Sequence, residues 1–495
     1  MATDSTVFDP PAGLLGRSVG RGALVTGGAQ AVRLACQFAS VIVLSRLLTP
    51  EHFGIVAMAA PVMAFIGMFQ DLGLAQATIQ RKVITHDEVN TLFWLNLIIG
   101  TLSAGLMALT SPLVSQFYRD PRAGVLVAAM SVHLILYGAA GQHHALLNRR
   151  MEFGRIAMLD SLGAVIGLAV AIIWALVDPT FWALYAGNTA TALVGMLGGW
   201  ILARWRPGLP RWTRGAGGLV YFGAEITGFN FANFFSRNLD NILIGRYRGN
   251  EELGLYDRAY KLLLFPLQQV TNPLAKVMVP ALSRMIDQPD RYRHAYLRVM
   301  PILLLVTLPG VALAVAMADV LVPFALGQQW VGSAVIFQAL GFAGLVQPLN
   351  NPSGWLFVSQ GRSTELMRWG IFVAVTSVAA FVIGLPYGAF GVALAYAASE
   401  YLRTPFLWLY VGRQGPIRAA DVARVALPFV TGAHLAVGAL WALRPHLPDA
   451  PLPALVLGTG LSYLLVTAFV AMFEPGRRTL GECLRLLGRK QAAAA

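Results

Sequence analysis

Charge is scarce in this sequence. Only 12% of its 495 residues are Asp, Glu, Lys or Arg, about half the share carried by a soluble domain. Cysteine is scarcer: Cys36 and Cys483 are the only two, which excludes a disulfide framework and a cysteine-based metal site. The eight histidines are scattered apart from the pair His143 and His144, and neither HxxxH nor CxxC occurs. No GxxxxGK[ST] loop is present, so nothing here cradles and hydrolyses ATP. GxSxG, HExxH and paired soluble carboxylates are missing too, and no cofactor or metal is expected. Long polar connections are also lacking. The longest, between Pro280 and Val299, leaves no room for a soluble domain. Residues Met1 to Leu15 carry Asp4, Asp9 and two prolines but no basic n-region, so the expectation is no cleaved signal peptide. The first hydrophobic span would itself direct the chain to the membrane.

What is present is apolar. Hydrophobic residues make up 56% of the chain, and runs of about 18 or more recur from end to end, each long enough to span a bilayer. Six are expected over Ala23–Leu48, His52–Ile79, Val89–Val114, Gly124–Leu147, Ile156–Val177 and Phe181–Ala203. Six more cover Gly218–Gly245, Leu253–Pro280, Val299–Leu326, Val331–Ser359, Leu366–Leu385 and Ala389–Val411. The last two are Val425–Leu443 and Leu452–Phe473. The fold class is therefore an all-α integral membrane protein of about fourteen helices.

The net charge of +13 would suggest nucleic acid in a soluble protein. Here the excess follows from the Lys and Arg enrichment of inner loops, and nucleic acid is not an expected partner. Numbering loops alternately from the N-terminus places 25 of the 37 basic residues on the side holding both termini and 6 on the other. Both termini are thus expected in the cytoplasm.

The chain also repeats. Gly22–Gln30 aligns with Gly217–Glu225, and Ser45–Ala57 with Gly245–Asp257. Both copies start on the same side after an even number of helices, which makes them parallel repeats about an axis along the membrane normal. The expected organisation is an N-terminal segment 1–22, a lobe 23–203, a basic linker 204–217, a second lobe 218–411, a helix pair within 412–475 and a basic tail 476–495.

The segments Leu44–Gly54, Phe69–Gln80, Arg237–Gly245 and Gly254–Lys261 resemble the polysaccharide transporters of the multidrug/oligosaccharidyl-lipid/polysaccharide (MOP) superfamily, most closely its WzxC-like lipopolysaccharide and exopolysaccharide exporters. The likeness runs over most of the first 410 residues and is weak in the last two spans. It implies two six-helix lobes plus a C-terminal pair, as in MATE-like carriers. It further implies flipping of an undecaprenyl-diphosphate-linked oligosaccharide across the bacterial inner membrane, by alternation between inward-open and outward-open states around a cationic space. The partners it implies are a polyprenyl-diphosphate-linked oligosaccharide, membrane lipids, and a polysaccharide polymerase and chain-length regulator.

A charge at mid-bilayer costs about 2.5–3.5 kcal/mol on insertion scales, so each one needs a reason. A diphosphate suits Arg or Lys in a sheltered, wet cavity. Arg33 and Arg237 fall on equivalent first helices of the two lobes and, with Arg258 and Lys261, are the cationic substrate-binding candidates. The bland readings are local pairs: Arg237 with Asp240 at i, i+3, Asp257 with Lys261 at i, i+4, and Glu400 with Arg403. Asp71, Glu225 and Asp240 are candidate ion-coupling carboxylates, because burial raises a carboxyl pKa. Two backbone interruptions are expected in corresponding helices, at Gln347–Gly354 with two prolines and at Tyr137–His144. Such breaks survive in lipid only when buried in protein or lining water, so Gln142, Gln347, Asn350 and Asn351 join the cavity candidates. A packing kink is the alternative for both.

Three other functions compete: a multidrug or peptidoglycan-precursor exporter of the same fold, a membrane-embedded polymerase or ligase, and a structural assembly partner. Drug exporters favour acidic cavities, which Arg33 and Arg237 oppose. A polymerase needs a sizeable outer loop bearing Arg and His, and none is present. The expectation is a carrier, not an enzyme.

Overall fold

A computed structural model describes residues 17–70, 74–81, 83–210, 234 and 238–492. The chain divides into two compact units, Met1–Gly254 and Leu255–Ala495. Among the described residues every regular element is helical.

In the first unit α1 spans Arg17–Ala39 and runs on through a π-turn at Ser40–Leu44. Then come α2 (Pro50–Gln70), α3 (Leu74–Gln80), α4 (His86–Tyr118), α5 (Pro121–Arg149), α6 (Phe153–Val177) and α7 (Phe181–Ala203). Local chemistry sets the helix starts. Thr85 and Glu88 form a reciprocal capping box for α4. Asp120 caps α5 ahead of Pro121, whose fixed φ and missing N–H suit a first helical position. The antiparallel pairs α4/α5 and α6/α7 pack side by side, and α1 lies against α6. Leu74, Val89, Leu92, Phe93, Leu146 and Trp205 form a buried core at one end. Trp94 donates to the Gly208 carbonyl (2.9 Å) and Asn90 to that of Leu209 (2.7 Å), so the start of the linker is pinned to this unit.

Residues 238–248 are helical and belong to the first unit, as does the start of the next helix, α8 (Asn250–Ser283). The first compact unit therefore runs on to Gly254, past the basic linker expected at 204–217. The reason is a reciprocal contact. A Cβ on Gly54 would run into the carbonyl of Asn250, and a Cβ on Gly254 into the carbonyl of Pro50. These four residues are paired positions of the sequence repeat, so the two copies cross one another with only glycine able to fit. Asn250 also donates to Asp120 Oδ2 at 2.9 Å.

The second unit continues with α9 (Pro289–Ala316), α10 (Ala318–Leu326), α11 (Val331–Asn350), α12 (Ser353–Ser359), α13 (Ser363–Gly384), α14 (Gly388–Val411), α15 (Ala419–Leu443), α16 (Pro451–Ala471) and α17 (Glu474–Ala492). α9 packs on α11, α15 and α16, and α14 on α11 and α13. The expected ninth span divides at Met317, and the basic tail folds as helix α17.

Eleven helical segments among the described residues are long and apolar enough to cross a membrane. One of them, 363–411, is two helices broken by a 3₁₀ turn at Leu385–Tyr387. Of the other expected spans, the eighth is α8 and the seventh lies largely outside the described residues. Large apolar side chains such as Leu102, Leu109 and Val177 point outward, as lipid-facing surfaces require.

Candidate functional site

Arg33 sits two turns before the π-turn of α1, where α1 crosses α6. Its Nη1 lies 4.0 Å from Asp160 Oδ2, with both side chains nearly half exposed. Ser161 donates to the Ala29 carbonyl at 2.9 Å, tying the helices together one turn away. A cleft of about 200 Å³ opens between them, lined by Gln30, Arg33, Asn148, Asp160 and Ser161 among others. The Arg33 Nε is buried without a hydrogen-bond partner. A guanidinium held this loosely keeps most of its donors available to an incoming anion. Asp160 stands out in the sequence as a charge inside a span, but its pairing with Arg33 and the π-turn do not. An Asp-Ser dipeptide early in an otherwise apolar span is the signal that marks Asp160.

Gln142 is elsewhere and in a different setting. It is fully buried in α5, and its Oε1 accepts from Thr78 Oγ1 at 2.7 Å. Arg149 donates to the carbonyls of Thr78 (2.9 Å) and Arg81 (2.6 Å), and Gln70 to that of Leu134 (2.5 Å). His143 stacks on Trp200 at 4.7 Å, and His144 bonds the Gly195 carbonyl. The expected interruption at Tyr137–His144 is not there: α5 is continuous from Pro121 to Arg149. Its polar residues bond sideways to α3 and α7 and leave the helix ladder intact.

In the second unit the tenth span does break. α11 ends at Asn350, Asn351 and Pro352 make the turn, and α12 starts at Ser353. Gln347 donates to Tyr396 Oη at 3.3 Å and Asn350 to Thr404 Oγ1 at 2.8 Å, both on α14, whereas Asn351 is exposed. The side-chain oxygens of Gln347 and Asn350 are buried without donors. One turn along α14, Arg403 pairs with Glu400 at 2.5 Å and also donates to the Val373 carbonyl, Thr376 and Ser377. Tyr396 and Thr404 escaped the sequence reading, because hydroxyls inside apolar spans are common and carry no spacing signature.

On α8, Lys261 Nζ lies 2.8 Å from Asp257 Oδ2, which is the local i, i+4 pair. Lys261 is exposed, while Arg258 and Asp257 are buried. Asp240 is buried, and its Oδ1 accepts from the Asn241 amide at 2.8 Å. Arg237, Asp71 and Glu225 lie outside the described residues. The structure thus separates the candidates into an Arg33 cleft, a buried Gln142 network, the α8 cations and the α11 break.

The family described as "Polysaccharide biosynthesis protein" matches residues 43–335, more than half of the chain. Among curated relatives, the lipopolysaccharide biosynthesis protein WzxC of Escherichia coli K12 is 26% identical over 372 residues, covering 73% of this chain and 74% of its own. The succinoglycan biosynthesis transport protein ExoT of Rhizobium meliloti is 24% identical over 88% of this chain and 90% of its own. The fold is shared with the lipid II flippase MurJ in an inward closed conformation, at a TM-score of 0.71, 11% identity and coverage of 91% and 98%. It is also shared with an inward-facing MATE family transporter of the MOP superfamily, at a TM-score of 0.60, 14% identity and coverage of 82% and 95%. The chain belongs to the polysaccharide biosynthesis protein family, with the helical fold of MOP transporters.

Proposed function

We propose, with that family membership as premise, that this membrane protein flips an undecaprenyl-diphosphate-linked oligosaccharide from the leaflet beside its basic loops to the opposite leaflet, by alternating access. The reading assigns the lobes to residues 23–203 and 218–411 and both termini to the cytoplasm. The names of the relatives support the substrate class, since they belong to the making of lipopolysaccharide and the transport of succinoglycan. The observation that carries the reading is Arg33, a guanidinium inside a span, half exposed in a cleft, with its one carboxylate 4.0 Å away. Within the bilayer such a group needs an anionic or polar purpose, and a diphosphate supplies it. Arg237, Arg258 and Lys261 are assigned as further phosphate contacts. Gln347, Asn350 and Asn351 at the helix break are assigned to sugar hydroxyls, since amides both donate and accept.

Energetics support export without nucleotide. An anion leaving a cell with a negative interior gains about 2.3 kcal/mol per charge per 100 mV. Proton or sodium antiport through Asp71, Glu225 or Asp240 is the competing drive.

The test is polysaccharide export in a strain lacking the chain, complemented by variants. Arg33→Ala and Arg237→Ala should abolish export while the protein remains in the membrane. Arg→Lys should restore it in part, because lysine loses the bidentate phosphate contact. Normal export by both alanine variants would place the diphosphate elsewhere. In proteoliposomes, collapsing the potential should slow flipping more than collapsing the pH gradient, and the opposite order would favour antiport.

A further inference from the structure

The second unit carries another cleft, of about 390 Å³, where α9 and α15 begin and α16 gives way to α17. Its lining holds four arginines (Arg293, Arg298, Arg424 and Arg478) and His294 against three carboxylates, and Arg293 is paired with Asp421. Glu482 on α17 accepts from Arg298 Nε at 2.9 Å and lies 3.9 Å from Arg478. Asp290 and Glu474 stand in the first turns of α9 and α17, where helix N-termini hold negative charge. Arg424 and His294 also line the cleft and, among the described residues, have no hydrogen-bond or ion-pair partner. The cleft therefore offers a free guanidinium and a free imidazole beside Arg478.

The surroundings say what kind of anion fits. Met472 and Phe473, directly before α17, and Leu484 within it are exposed apolar residues, Met472 and Leu484 at about 70%. α17 follows the last span and is amphipathic, with Leu480, Cys483 and Leu484 at helical spacing and Arg477, Arg478 and Arg485 flanking them. An amphipathic helix of this kind lies in the headgroup region with its apolar side toward the acyl chains. A cationic cleft bordered by exposed leucine and methionine at that depth meets lipid phosphate.

We infer that the α9/α15/α17 cleft binds the phosphate headgroup of an anionic glycerophospholipid, with Arg424, His294 and Arg478 as its contacts. The chains of that lipid lie beside Met472 and Leu484. None of its contact residues is among those assigned to the transported substrate, so the inference does not depend on that assignment. It makes α17 a lipid-dependent element, held to α9 both by the Arg298–Glu482 pair and by the headgroup.

The test uses the full-length protein in phosphatidylcholine nanodiscs doped with phosphatidylglycerol, with retained lipid counted by native mass spectrometry. Wild type should retain phosphatidylglycerol at least tenfold in preference to phosphatidylcholine. The pair Arg424→Gln with His294→Asn should lower that preference at least fivefold, in line with the contribution of one basic group near an anionic surface. Arg413→Gln, a basic change on the neighbouring loop outside the cleft, should leave it unchanged. All three positions are exposed, so the variants keep the wild-type unfolding temperature in neutral detergent. Equal retention of the two lipids by wild type would overturn the proposal, as would an equal loss in Arg413→Gln. Displacement of the lipid by millimolar inorganic phosphate would identify a soluble phosphate as the ligand and overturn it as well.

Discussion

Adding one methyl group at Gly54 should open the contact between the two repeat copies. Gly54 lies in α2 and Gly254 in α8, so alanine gains about 1 kcal/mol of helix propensity at either site. Against this stands a steric cost, because a Cβ on Gly54 meets the Asn250 carbonyl, its carbon and its Cα. These are backbone atoms, so no rotamer change relieves the clash. The 250–254 segment must retreat by about 1 Å or more, and a gap of that size forfeits up to half of the dispersion energy of each pair it opens. The retreat also strains the Asn250–Asp120 hydrogen bond, which as a bond to a charge is worth about 1.5–3 kcal/mol. The net is a penalty of about 2 kcal/mol, or roughly a thirtyfold rise in the open population. Met58 is 1% exposed and packs next to Gly245 in the same contact. With Cys36 and Cys483 changed to serine, a cysteine at position 58 should react with maleimide about thirtyfold faster in Gly54→Ala, as the penalty implies. Gly67→Ala, in the same helix with open space around it, should leave the rate unchanged. The double variant Gly54→Ala/Gly254→Ala should cost less than the sum of the singles, because the first retreat makes room for the second methyl. Equal labelling of wild type and Gly54→Ala would refute the reasoning.

Other outcomes follow from single contacts. Burial raises the Asp120 carboxyl pKa, but hydrogen bonds from Arg122 and Asn250 outweigh it and hold it below the usual carboxylate range. Its contribution is then fully present above the unfolded value of about 3.9 and is lost as pH falls through the lower folded value. Asp120→Asn, which keeps a helix cap, should flatten the acid limb of an unfolding curve taken below about pH 4. Arg403→Ala strands Glu400 within α14 and should cost about 3–5 kcal/mol. Glu400→Gln/Arg403→Met should recover much of that loss in a thermal unfolding assay. Reporter fusions should place both termini in the cytoplasm and the loops at Arg119 and Arg246 outside, and an external C-terminus would refute the topology.

The places where the sequence was misleading share a cause. Tyr137–His144 looked like a broken helix because Gly, Gln and His crowd into a span, yet α3 and α7 supply partners and α5 stays continuous. Gln347–Gly354 carries the same kind of composition plus Pro348 and Pro352, which remove backbone donors, and there the break is real. Proline acts on its own backbone and is visible locally, whereas the fate of a glutamine depends on what another helix brings to it. Gln142 illustrates this, since its partner Thr78 is 64 residues away.

Length and apolarity were enough to mark the eleven spanning segments among the described residues, because crossing a bilayer is a requirement each helix meets by itself. The caps at Thr85 and Asp120 act within three residues of themselves and are local chemistry of the same kind. The repeat of Ser45–Ala57 in Gly245–Asp257 was visible as a pattern, but its reason was not. Only the packed structure shows Gly54 against Asn250 and Gly254 against Pro50. Likewise Arg33 stood out as a charge in an apolar run, while its partner Asp160 is fixed by the crossing of α1 and α6. Requirements set by solvent and by local backbone chemistry are written along the chain; the choice of partner is made across it, by packing.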